Sequence, residues 1–108
     1  MKLDRRRRDS EKEKSIAVVT HVVNHVAALS GVEWKELMER RRGRPVVASS
    51  RSMAMAACVT LGVPICHVAR AFNRESKVVY VACEISRRRC ANSASFREHW
   101  NDITQALS

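Results

Sequence analysis

The chain has 108 residues, of which 45% are hydrophobic and only 5% aromatic, and its 20 Lys and Arg against 11 Asp and Glu give a formal net charge of +9. That length allows one domain with an aliphatic core, and the charge points to a polyanionic partner, nucleic acid before an anionic membrane surface. No stretch approaches the roughly 20 apolar residues of a bilayer span, no apolar run follows the N-terminal charges as in a secretory signal, and few glycines and prolines favour helices over a many-turned β fold, so a cytoplasmic all-helical protein is expected.

Residues 1–14 carry seven basic and four acidic side chains and cannot bury anything, which predicts a flexible leader, disordered or a frayed helix start. It is either a solubilising tail or a basic arm, Arg5 to Arg8, that touches phosphates or a minor groove. Residues 15–108 are expected to be the folded domain. Residues 15–29 place Ile16, Val19, Val22, Val23, Val26 and Leu29 at helical spacing, and Ser30-Gly31 ends the helix. His21 and His25 are four apart, but no third ligand is near, so no metal is expected.

Residues 32–42 predict a short helix with Trp34, Leu37 and Met38 turned inward. It runs into Arg40-Arg41-Arg42-Gly43-Arg44-Pro45, four arginines in five residues with no acid among them. Forked guanidinium donors fit phosphate oxygens, so this bend is a candidate phosphate clamp; the alternative is a solvated charge run. Residues 49–61 predict a largely buried helix capped by Ser49 or Ser50, with Met53, Ala56, Ala57, Val59 and Leu61 inside.

Residues 64–71 and 74–89 read as two helices joined by a tight turn. Pro64 suits a helix start. Val68, Ala69 and Phe72 give the first helix its apolar face, and Asn73 is the expected N-cap of the second. Val78, Val79, Ala82 and Ile85 mark the second helix's buried side, leaving Ser76, Lys77, Tyr80, Glu84, Arg87 and Arg88 outside. This is a helix-turn-helix pattern, in which the second helix reads the major groove; an ordinary helical hairpin is the alternative. After a break at residues 90–95, a last helix at residues 96–107 turns Phe96, Trp100, Ile103 and Leu107 to the core.

Cys58, Cys66, Cys83 and Cys90 lie in or beside helical patterns without a short C-x-x-C clip, so reduced thiols are expected and a zinc site is not. There is no phosphate-cradling glycine loop, no dinucleotide turn and no H-E-x-x-H. Cys66 and His67 are neighbours pointing about 100° apart on a helix, and no nucleophile is evident beside a histidine. Neither an enzyme nor a cofactor is expected.

The runs RRRGRPVVASSRSMAMA, LGVPICHVARAFNRESKVVYVAC and FREHWNDITQALS resemble the C-terminal DNA-binding domain of the bacterial replication initiator DnaA. The resemblance extends from about Ile16 to Ser108. It implies a bundle of about six helices around a helix-turn-helix, similar to the Trp repressor's DNA-binding region. Arg74 and Glu75 match the family's Arg-Asp at the recognition helix, and Val79 its Val. Ser76, Lys77 and Val78 replace the family's His-Thr-Thr, and the preceding turn is one residue shorter. Arg42 and Arg44 match the basic loop and Arg51 the arginine opening the next helix, while only Ala48 or Ser49 stands where the family has a minor-groove arginine. The family's ATPase and oligomerising parts are not in this sequence.

The implied function is sequence-dependent binding of double-stranded DNA by a free-standing relative, a transcription or replication regulator in the nucleoid. Arg74, Ser76, Lys77 and Tyr80 would face bases, and Arg41, Arg42, Arg44, Arg51, Arg87 and Arg88 would hold phosphates. Two alternatives stand beside it: a protein-interaction module whose arginine face binds acidic partners in replication or transcription, and a sequence-blind nucleoid protein.

Overall fold

A computed structural model describes residues 2–41 and 43–106 of the chain, with side chains from Lys12 onward. It is an all-α bundle of six helices: α1 (Lys2–Ser30), α2 (Trp34–Met38), α3 (Pro45–Thr60), α4 (Ile65–Ala71), α5 (Ser76–Asn92) and α6 (Ala94–Gln105). No strand occurs among the described residues.

The axis of the bundle is α3, against which all five other helices pack. Ala54, Ala56, Ala57 and Cys58 are small and buried, so neighbours approach on several sides, and Met53 and Met55 fill the remaining gaps. Nine of its 16 residues are buried, as in a core helix rather than a one-sided surface helix. The helix starts earlier than expected. Pro45 opens it, where a missing N–H costs nothing, and Ser49 and Ser50 lie inside it rather than capping it.

α1 runs unbroken through the expected leader, so the division at residue 14 is not a break in the helix. At that point Lys12, Glu13 and Lys14 are exposed, and Ser15 is buried. Val19, Val22, Val23 and Val26 are buried as their spacing predicts, while Ile16 and Leu29 at the ends of the stripe stay exposed. In α2, Leu37 is buried and Met38 half-buried, but Trp34 is 54% exposed, contrary to expectation. Val32, just before the helix, takes the inward place, and Trp34 borders a shallow hollow with Val19, Val23 and Met38.

Asn73 does not cap α5. It stands in the left-handed region, φ 52°, just past α4. Its N–H reaches the Arg70 carbonyl at 3.3 Å and the Arg74 N–H reaches the Ala69 carbonyl at 2.8 Å. Those two bonds close a Schellman motif, and Asn tolerates the conformation better than any residue but Gly. The same pair of bonds, with Gly62 at φ 95°, ends α3. Thus the turn between α4 and α5 is built by the end of α4, and α5 begins two residues later than predicted. Glu75 precedes it without a side-chain cap.

On α5 the buried seam is Val79, Ala82 and Ser86. These sit three and four apart, so Val78 and Ile85, expected inside, fall on the flank and are exposed. Phe72 is fully buried beneath the turn. The break before α6 is Ser93 alone, whose hydroxyl accepts from the Phe96 N–H at 3.2 Å. Ile103 is buried, and Phe96 and Trp100 stack at 6.4 Å between centroids. Leu107 lies outside the described residues.

A candidate nucleic-acid interface at the helix-turn-helix

The first turns of α5 are open to solvent on the side away from α3: Ser76, Lys77 and Tyr80 are exposed, Tyr80 by 62%. No other element covers them, as a reading helix requires. Val78 and Val81 are exposed beside them. The uncapped start of α5 leaves its leading N–H groups pointing to the same end, which favours anions there.

The arginine bend is held directly against this end. Arg74 lies between α4 and α5 and is half-buried. Its Nη1 donates to the carbonyls of Phe72 at 3.0 Å and Asn73 at 3.1 Å. Its Nη2 donates across to the carbonyls of Glu39 at 3.0 Å and Arg41 at 3.3 Å. Expected as a base reader, Arg74 is placed as a clasp between the turn and the bend. Its fork is what lets one side chain bond both sides.

Arg51, expected on a phosphate, is placed inside the protein, 3% exposed. From α3 it donates Nε to the Leu37 carbonyl at 2.7 Å and Nη2 to the Glu36 carbonyl at 2.8 Å. These are last-turn carbonyls of α2; that of Glu36 also accepts from the Glu39 N–H at 3.4 Å. Burial lowers the Arg51 pKa, the neighbouring Arg74 charge lowers it further, and Glu39 opposes both. An arginine ordinarily loses its proton so far above neutral that the charge remains. Arg51 thus holds the last turn of α2, and Arg74 holds the segment that leads from it into the bend.

The remaining arginines differ in how much they are engaged. Arg40 and Arg41 are exposed, and Gly43 turns the chain with φ 76°. Arg42 lies outside the described residues, as do the side chains of Arg5 to Arg8. Arg44 is exposed and pairs with Glu36 at 3.3 Å, a surface ion pair of small worth. Arg40, Arg70 and Arg74 rim an open hollow beside the turn, with Asn73 and Glu75. Arg70 was not singled out in the sequence because it carries no motif; only its place on the last turn of α4 brings it here.

Farther along α5, Arg87 and Arg88 are exposed but share one carboxylate. Arg87 Nη2 lies 2.8 and 2.6 Å from the two Glu84 oxygens, and Arg88 Nε lies 3.4 Å from one of them. The Arg87 bond, then the two positive charges, hold the Glu84 carboxyl below its usual range. Arg89 reaches back to the Ser49 hydroxyl on α3 and lies over the Phe96 ring at 5.8 Å.

No three residues of the His, Cys, Asp and Glu types gather as metal ligands among the described residues. His21 is exposed and His25 half-buried. No described helix is long and apolar enough to cross a membrane. Comparison with known proteins found no matching family model and no matching curated protein.

Proposed function

We propose that this chain binds double-stranded DNA, with α5 in the major groove and the arginine bend on the flanking phosphates. It would act in the cytoplasm at the nucleoid, as a relative of the DnaA C-terminal domain that regulates transcription or replication. The observation that carries this is the Arg74 clasp: it joins an exposed helix start bearing Ser76, Lys77 and Tyr80 to the arginine-rich bend, making one cationic end. In this reading Lys77, Ser76 and Tyr80 face base edges. Arg41, Arg42 and Arg44 hold phosphates, joined by Arg87 and Arg88 farther along the helix. Arg74 and Arg51 set the geometry rather than touch DNA.

A salt titration of duplex binding tests it. Four to five phosphates neutralised give a slope of about −4, or a loss of roughly 200-fold between about 50 and 200 mM salt. No binding to any duplex at about 50 mM salt refutes the reading. The second reading, a module for acidic protein partners, is favoured by one observation. The outer side of α5 exposes Val78, Tyr80, Val81 and Ile85, more apolar surface than groove contact uses. Equal affinity for random and selected duplexes would instead leave a sequence-blind nucleoid protein.

A further inference from the structure

A cleft of about 320 Å³ opens between α1, the end of α2, and α4, and shares Arg70 with the hollow beside the turn. Ile16, Val19, Met38 and Ala71 make its walls, an apolar lining in the size range of small-molecule sites. Inside it a serine stands beside a histidine, a pairing the sequence does not show. Ser15 Oγ lies 3.1 Å from His67 Nδ1, joining α1 to α4 across 52 residues. Ser15 is buried and holds the half-buried imidazole against α1 through Nδ1. Lys12 and Arg70 complete the lining, both exposed.

That combination selects a ligand chemistry. The walls want an apolar body of modest size. The two cations want one anionic group, and Arg70 presents a fork that matches a carboxylate. The imidazole adds a polar contact that fixes orientation. We propose that this cleft binds a small monocarboxylate with an apolar body. None of the residues assigned to bases or phosphates lines it, and only Arg70 also rims the hollow beside the turn. Bare phosphate lacks the body, and a neutral apolar molecule leaves the cations unmatched.

The probe is 3-phenylpropionate, with its amide and inorganic phosphate as controls, titrated into the full chain while the His67 and Ala71 NMR signals are followed. Saturable binding of the carboxylate in the millimolar range or tighter is expected. The amide and phosphate should bind at least about tenfold more weakly, and Arg70→Gln should weaken the carboxylate by a similar factor without weakening the amide. Thr20→Trp, an exposed lining position, should block the cleft; Ile16→Trp does the same if the first variant melts early. No saturable binding, an amide as tight as the acid, or undiminished binding to the blocked variant overturns the proposal.

Discussion

Replacing Arg74 separates positioning from contact. Two of its bonds stay within the turn, to Phe72 and Asn73, and two cross to the bend, to Glu39 and Arg41. A hydrogen bond from a charged donor contributes about 1.5–3 kcal/mol, and less where the carbonyl regains water on truncation. Because the guanidinium is only half-buried, Arg74→Ala should cost about 1–2 kcal/mol in total, or about 4–8 °C in melting midpoint for a domain of this size. Duplex affinity should fall alike for every sequence, because the bend is no longer held against α5. Arg74→Lys keeps the charge but has no fork, so it should recover little of the lost stability. Thermal melts followed by circular dichroism, beside duplex titrations at fixed salt, give both numbers. A melting midpoint within about 1 °C of the parent in Arg74→Ala, with sequence preference altered, would return Arg74 to the bases and refute the clasp.

Arg51→Ala should be costlier, about 2–4 kcal/mol by urea unfolding, because it leaves the buried Leu37 carbonyl without its side-chain donor and removes a second bond to Glu36; a loss under about 1 kcal/mol contradicts that. Lys77→Ala should change which duplexes are selected, while Arg44→Ala should weaken all of them and lower the salt slope by about one; identical behaviour of both mutants sinks the docking geometry. Glu84→Gln should release Arg87 and Arg88 and tighten duplex binding with a steeper salt slope, and unchanged binding would place both arginines off the DNA. Burial pushes the Cys58 thiol up from 9.0 to about 12 in the folded chain. Its contribution is therefore complete below pH 9 and is lost as pH climbs toward 12, at about 1.4 kcal/mol per pH unit. Cys58→Ala should flatten the alkaline stability profile by that slope, and parallel profiles would count against the assignment.

The helices were legible because their apolar spacing is strong. Val19, Val22, Val23 and Val26, and likewise Val79 and Ala82, are buried where a 3.6-residue period puts them. Errors cluster at ends, where one residue changes the geometry. Asn73 satisfies the sequence pattern for a helix start and for a left-handed helix end, and only the backbone decides between them. Pro45 was read as part of a loop although it fits a helix opening equally well. The Ser15–His67 pairing had no signal at all, since nothing local marks partners 52 residues apart.

Charge was the least readable feature, because a count of arginines does not say which ones face outward. Two of those assigned to DNA are spent on main-chain carbonyls, Arg51 on the last turn of α2 and Arg74 on the bend. The two are related to the others by necessity. A run such as Arg40 to Arg44 repels itself and has no apolar residue to anchor it, so its shape must be imposed by donors reaching its backbone from outside. An acid neutralises part of the run that it holds, as Glu36 does at Arg44. Arginines do not: they bond the carbonyls and leave the positive field intact. An interface of this kind therefore needs two sets of arginines, one turned in to hold the main chain and one turned out. A mutation scan should find the first set by stability and the second by salt dependence.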